Sequence, residues 1–273
     1  MADVVHIRVE HGAGVEVDLT VEDARGGPPP DLGPPESNLV TRAARAFLSE
    51  SGLRVRLHVV LTKRLPAGAG LGGGSSDAAA TLRALDALFP GAVEPGRLHT
   101  LAAGLGSDVP FFLGRSPTAL AWGRGERLRD LPPLPPRPVV VVVPPVHVAT
   151  GPAYAALARS RETDGAGEGR RRGEVLRDVE VLSWEAVAGD AVNDFETVVP
   201  PAEPEVDRAL EDLRASGPAI ALLAGSGGAV FGVFDTAEAA RRAEAELEAR
   251  GHRVVTTRTL ERWPPVETPG GRS

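Results

Sequence analysis

Apolar and polar side chains alternate without a break over residues 53–62. Leu53, Val55, Leu57, Val59 and Leu61 fall on one face, and Arg54, Arg56, His58, Val60 and Thr62 on the other. A period of two predicts a half-buried strand. The same reading covers residues 3–9, and Val15, Val17, Leu19 and Val21 alternate with Glu16, Asp18 and Thr20. Two further strands are therefore predicted, joined as a hairpin through residues 11–14. After a proline-rich loop over 26–35 the period becomes helical, with Leu39, Val40, Ala43, Ala44, Phe47 and Leu48 on one face and Ser37 placed to cap. Ala78, Ala79, Ala80, Leu82, Leu85 and Leu88 predict a second helix, residues 97–103 a short third, and residues 118–122 a strand. Beyond the prolines of 132–138, an unbroken run of valines over 139–143 predicts a strand buried on both faces. Helical patterns cover 193–196 and 206–213, strands 219–224 and 229–234 flank Gly225, Ser226, Gly227 and Gly228, and a helix over 236–250 precedes a last strand at 253–257. The proline cluster is the predicted boundary between two lobes, 1–135 and 136–273, of mixed α+β character. Residues 161–173 are charged and glycine-rich without apolar period, which predicts a mobile surface loop, and the tail from Pro264 is expected to be disordered.

Composition removes several function classes. A 42% hydrophobic content supports a sizeable core despite 32 glycines and 25 prolines. A net charge of −7 with no contiguous basic stripe argues against a nucleic-acid partner; the arginine run at 170–172 reads as a solvated face. The absence of cysteine excludes disulfides, thiolate chemistry and cysteine-held metals, and the six histidines lack metal-ligand spacing. No apolar run reaches membrane-spanning length and no signal-type segment opens the chain, so a cytoplasmic protein acting on a small molecule is expected. Oligomeric state is not indicated. Lys63 is the sole lysine, leaving one candidate for lysine-based chemistry.

The stretch 65–80, LPAGAGLGGGSSDAAA, is the strongest candidate for chemistry. Its glycines remove the side chains that block backbone approach, so N–H groups can converge on an anion, and a helix follows immediately. Gly68, Gly70 and Gly73 also satisfy GxGxxG, but the ribose-binding acid of a dinucleotide site would then fall at Glu94, in a loop before Pro95. A P-loop would need a lysine at the end of the loop, where Gly74 is followed by Ser75 and Ser76. A flexible linker is disfavoured by the strand and helix patterns on either side. Several side chains keep two readings. Ser75 and Ser76 suit helix capping or phosphate contact; Asp77 suits the helix dipole or Mg²⁺ contact. Asp108 suits a cap or a base, Lys63 an exposed strand end or a nucleotide contact, and Tyr154 a core or a stacking role.

The wording LPAGAGLGGGSSDAA resembles the phosphate loop of the GHMP small-molecule kinases. GSDVPFF at 106–112, ESNLVTRAARAFL from Glu36 and LLAGSGGAVFG at 222–232 extend the likeness over nearly the whole chain. Together they resemble the branch of that family that phosphorylates CDP-methylerythritol in non-mevalonate isoprenoid synthesis. The resemblance implies a ribosomal-protein-S5-like N-terminal lobe with a left-handed crossover, a ferredoxin-like C-terminal lobe, and ATP-dependent transfer to the 2-hydroxyl of the acceptor. It implies that Pro66, Ala67, Gly68, Ala69, Gly70, Leu71, Gly72, Gly73, Gly74, Ser75 and Ser76 wrap the ATP phosphates, with Asn38 and Lys63 at the nucleotide site. Asp108 matches the catalytic aspartate, Thr150 and Tyr154 match positions at the cytidine end, and Gly225, Ser226, Gly227 and Gly228 would close the cleft from the second lobe. Mg²⁺ is implied on the nucleotide, with its protein ligands unassigned. The family's PAKxNLxL-type and DGYH-type motifs do not occur in the 273 residues. The expectation is a chain shortened at its N-terminus, through a start downstream of the natural one, and lacking the family's first strand.

Overall fold

The structure, a computed structural model, describes residues 2–12, 14–123, 125, 127–163 and 183–268. The chain divides into two compact units: one comprises 1–67, 72–131 and 262–273, the other 68–71 and 132–261.

The first unit is built on a three-stranded sheet of β1 (Val4–His11), β2 (Glu16–Asp23) and β3 (Val55–Lys63) in the order β1-β3-β2. The expected hairpin between the first two strands is not formed. Both pair instead with β3, β1 antiparallel with Val4 opposite Thr62, and β2 parallel with Glu16 opposite Arg56. The reason lies in the side chains: every second residue of β3 is buried, whereas β1 and β2 bury none fully. The most apolar strand takes the centre, and a period of two suits either neighbour equally. Parallel pairing of β2 with β3 requires a crossover, which α1 (Leu39–Ser51) supplies. Its cap is Asn38, whose side chain accepts from the Val40 N–H, while the Ser37 hydroxyl turns back to the Pro34 carbonyl. The predicted cap was thus one residue early. Gly52, at φ 69°, closes the helix in the left-handed conformation.

Against one sheet face lie α1 and α2 (Gly73–Leu88), so that Val40, Ala43, Phe47, Leu57, Val59, Leu61, Ala78, Leu82 and Leu85 form one core. Next come α3 (Pro95–Leu105), α4 (Val109–Leu113) and a small ribbon of β4 (Ala119–Trp122) and β5 (Arg127–Asp130). Residues 264–268 lack regular structure, but the expected disordered tail begins against the protein: Arg83 donates to the Pro264 carbonyl at 2.9 Å.

In the second unit β6 (Pro138–Val142), β7 (Ile220–Leu223), β8 (Val230–Val233) and β9 (Val254–Arg258) form an antiparallel sheet in the order β7-β8-β6-β9. This is the ferredoxin-like order. The valines of β6 are buried on both faces as expected: Val140 and Val142 pack with Leu210, Leu213 and Leu247, and Val139 and Val141 with Ala69, Ala224 and Ala229. The helices are α5 (Thr150–Thr163), α6 (Trp184–Asp190), α7 (Val199–Ala202), α8 (Pro204–Ala215) and α9 (Ala237–Ala249), the last capped by the Thr236 hydroxyl. The helical pattern at 193–196 is a 3-10 turn, Asp194–Thr197. Most of the loop expected over 161–173, from residue 164 on, lies outside the described residues, as does the end of the tail from residue 269.

Candidate active site

Strand β3 delivers the chain to the glycine loop and α2 carries it away. Between them Gly68, Gly70 and Gly72 have φ of 71°, 79° and 69°, a conformation that a side chain disfavours. Gly70 is also hemmed in: a Cβ there would lie 2.1 Å from the Ala224 carbonyl oxygen and 2.8 Å from the Gly227 nitrogen. The relation is mutual, because a Cβ on Gly227 would lie 2.4 Å from the Gly70 nitrogen. The Ala229 N–H donates to the Ala69 carbonyl at 3.1 Å, so the 68–71 segment docks backbone to backbone on the turn between β7 and β8. A Cβ on Gly68 would strike His147, a neighbour that no sequence motif pointed to.

The helix begins earlier than its polar residues suggested. Gly72 occupies the cap position of α2 with no side-chain cap, and Ser75, Ser76 and Asp77 lie inside the first turns. The Ser76 hydroxyl donates to the Gly73 carbonyl at 2.8 Å. An uncapped helix start offers its first N–H groups to an anion, and the dipole favours one there. A glycine cradle that Cβ atoms would fill, opening such a helix, fits a polyphosphate.

Lys63 is not an exposed strand end, and Asp77, in the first turns of α2, is buried beside it. Lys63, at the end of β3, is buried, and its ammonium pairs with Asp3 and, at 2.9 Å, with Asp77 Oδ2. Asp3 Oδ1 in turn accepts from the Arg64 and Leu65 N–H groups at 2.6 and 2.8 Å. Burial pushes the Asp77 carboxyl up to about 6, against the pull of Lys63. For Lys63 burial works downward, but the hydrogen bond to Asp3 and the charge of Asp77 outweigh it and the ammonium ends above its ordinary value.

Asp108 stands immediately before α4, exposed, and makes no capping bond to that helix. Among the described residues its side-chain hydrogen-bond partner is the Ser107 hydroxyl, at 3.3 Å from Oδ1. Among the described residues no cation pairs with this carboxylate. Helix α4 is positioned by aromatic packing: Phe112 touches the Cβ position of Gly72, and Trp263 packs on Phe111 and Phe112 at centroid distances of 5.4 and 5.7 Å. Asn38 caps α1, and the next residue, Leu39, lies 3.6 Å from the Cβ position of Gly74.

In the second unit Thr150 opens α5 and Tyr154 follows one turn later, both exposed. With 59% exposure Tyr154 is not a core residue. It meets Phe195 edge to face at 4.8 Å and lines a cleft of about 520 Å³ with Leu157, Arg161 and Asn193. The sequence reading missed Asn193 as a functional support. Its amide donates to the carbonyls of Leu223 and Gly225 at 2.9 and 2.7 Å, and Glu196 accepts from the Leu223 N–H at 2.8 Å. These two side chains hold the entrance of the Gly225–Ser226–Gly227 turn; only their polarity beside an apolar Phe195 signalled it. Among the described residues no cluster of three or more His, Asp or Glu side chains forms a metal cage, and no helix is long and apolar enough to cross a membrane.

A glycine cradle before an uncapped helix, beside a short helix preceded by an exposed carboxylate, defines a small-molecule kinase, and comparison agrees. The models for the GHMP kinases N terminal domain and the GHMP kinases C terminal region match residues 38–115 and 180–253. Within that class the chain belongs to the 4-diphosphocytidyl-2-C-methyl-D-erythritol kinase family. It is 42% identical over 255 residues to such a kinase from Solidesulfovibrio magneticus, covering 93% of this chain and 83% of that protein. It is 38% identical over 244 residues to one from Pelotomaculum thermopropionicum, covering 89% and 81%. A crystal structure of 4-(cytidine 5'-diphospho)-2C-methyl-D-erythritol kinase aligns with a TM-score of 0.68 at 36% identity, over 93% of this chain and 85% of that one. A homoserine kinase from Cytophaga hutchinsonii shares the fold, with a TM-score of 0.67 at 19% identity over 94% and 85%.

Proposed function

We propose that this chain transfers the γ-phosphoryl group of ATP to the 2-hydroxyl of 4-diphosphocytidyl-2-C-methyl-D-erythritol, a step of non-mevalonate isoprenoid synthesis. One observation carries the reading. The loop of left-handed glycines opens an uncapped α2, and the neighbouring α4 is preceded by Asp108, an exposed carboxylate that makes no capping bond to that helix. Phosphoryl transfer asks chiefly for positioning and charge neutralisation, and this set supplies both.

Residues 66–76 hold the phosphates through backbone N–H groups, with the start of α2 favouring their charge. Asn38 and the backbone at Lys63 border the nucleotide. Asp108 accepts, or orients for transfer, the proton of the acceptor hydroxyl as its oxygen attacks phosphorus. Thr150 and Tyr154 take the cytidine end, the ring of Tyr154 stacking on the base, while Gly225, Ser226 and Gly227 offer backbone groups to the substrate. Mg²⁺ fits as a companion of the nucleotide, since that ion keeps water and phosphate ligands and needs no all-protein cage; Ser75 and Ser76 are the hydroxyl donors nearest at hand. Bound there, it would neutralise charge on the phosphate oxygens. The place of action is the cytoplasm, where the nucleotide donor is abundant.

The test is ATP-dependent phosphorylation of the acceptor, with homoserine and mevalonate as competing acceptors. Turnover confined to the cytidine-bearing acceptor is expected; preferential phosphorylation of either alternative overturns the substrate assignment.

A further inference from the structure

Three charged side chains lie behind the glycine loop, and the proposed chemistry does not use them. Asp3 immediately precedes β1, Lys63 ends β3, and Asp77 sits in the early turns of α2. Their side chains are 1%, 7% and 5% exposed. Burying three charges is costly, and apolar side chains of similar volume serve stability at least as well. A cluster of this kind therefore invites a reason beyond stability.

Its bonds supply one. Asp3 spends one carboxylate oxygen on the Arg64 and Leu65 N–H groups, the last residues before the loop, and the other on Lys63. Lys63 reaches on to Asp77, on the helix where the loop ends. The Cβ position of Gly73, the first residue of α2, lies 3.5 Å from both Asp3 Oδ2 and Lys63 Nζ, and 3.6 Å from Leu65. Entry and exit of the loop are thus fastened to a single charge cluster. Glycine-rich chain has the most conformational freedom to lose, and freedom removed before binding is not charged against affinity.

We propose that Asp3, Lys63 and Asp77 are positioning residues for the phosphate loop, a clamp that holds both of its ends in the nucleotide-binding geometry before ATP arrives. The proposal rests on the kinase reading. It assigns Lys63 a role through its neighbours, its ammonium being engaged by two carboxylates rather than presented to a phosphate.

The experiment is the ATP dissociation constant, measured by calorimetry without any acceptor, for wild type, Asp3→Ala and Asp3→Asn. Alanine removes the acceptor of both N–H groups and one partner of Lys63, so ATP should bind about tenfold or more weakly. Asparagine keeps an oxygen in place for the two N–H groups, so binding should recover to within about threefold of wild type, which a general loss of packing would not produce. Folded Asp3→Ala that binds ATP as wild type does overturns the clamp and leaves the kinase reading standing. Wild type without ATP affinity overturns both. A measurement free of variants guards against misfolding of Asp3→Ala: hydrogen exchange of nucleotide-free wild type should show the Arg64 and Leu65 amides protected. Amides that exchange there at the rate of open loop overturn the clamp.

Discussion

Replacing Gly70 with alanine tests the interlock of the two glycine turns. The new Cβ would meet three backbone atoms, at 2.1 Å from the Ala224 oxygen, 2.8 Å from the Gly227 nitrogen and 2.9 Å from the Gly227 Cα. None of these atoms is the end of a flexible side chain, so the loop itself must move. A φ of 79° adds the left-handed cost of an L-residue, about 1–2 kcal/mol, and displacing packed backbone adds about 1–3 kcal/mol. The neighbouring Ala69 packs in the second unit's core with Val139, Val141, Ala224 and Ala229, so the strain is relieved by the 68–71 segment lifting off Ala229 at the edge of that core. If that segment's shape holds the phosphates, about 3 kcal/mol of strain weakens ATP binding roughly a hundredfold. Gly74→Ala is the control. Its Cβ would lie 3.6 Å from Leu39 Cδ1, ordinary contact, and alanine is the better helix former, so binding should change by less than about 1 kcal/mol. Calorimetric ATP titrations of both variants, with thermal unfolding to confirm the fold, decide the matter. Gly70→Ala binding within twofold of wild type, or Gly74→Ala losing as much, would refute the reasoning. Gly227→Ala should mimic Gly70→Ala, and the double variant should lose little more than either, because one contact is being broken twice.

Asp108→Asn should lower kcat by about 10²–10⁴-fold as a lost general base, while leaving the unfolding temperature unchanged because the side chain is exposed and caps nothing. A parallel loss of stability would contradict its assignment as an exposed carboxylate. Tyr154→Leu should raise the acceptor KM with little change in the ATP constant, and about 1–3 kcal/mol of acceptor binding is at stake if the ring stacks on the base. The Asp77 carboxyl, raised in the fold from 3.8 to about 6 by burial, favours folding when protonated. That contribution is complete below pH 3.8 and is lost as pH rises through 6, by up to about 3 kcal/mol. Lys63, also raised, contributes fully below 10.5 and loses its contribution only in alkali. Urea unfolding from pH 4 to 7.5 should therefore show a decline in wild type that Asp77→Asn lacks; parallel curves for the two proteins would contradict the burial of Asp77.

Sequence pattern revealed what depends on near neighbours. The alternation of β3, the apolar face of α1 and the doubly buried valines of β6 each report a local period, and each element formed where it was expected. Partner choice is long-range, so β1 and β2 read as a hairpin although β3 lies between them. The four-residue β5 has no period long enough to show. In the site, the glycines announced the loop because a bare backbone is a property of the residues themselves. Their clustering also hid the start of α2, which opens at Gly73 with no polar cap. Lysine at the end of a strand reads as exposed until Asp3 and Asp77, 60 residues before it and 14 after it, converge on it. Asn193 and Glu196 were illegible for the same reason: their partners, the backbone groups of Leu223 and Gly225, lie in a turn about 30 residues further on.

The most direct measurement is the fate of the γ-phosphoryl group when the chain is given ATP, Mg²⁺ and 4-diphosphocytidyl-2-C-methyl-D-erythritol, followed by phosphorus NMR. A new phosphomonoester on the 2-hydroxyl, formed by wild type and strongly diminished in Asp108→Asn, is the expected result. A folded chain that binds ATP yet forms no phosphomonoester, or forms one equally well without Asp108, would contradict the proposed function.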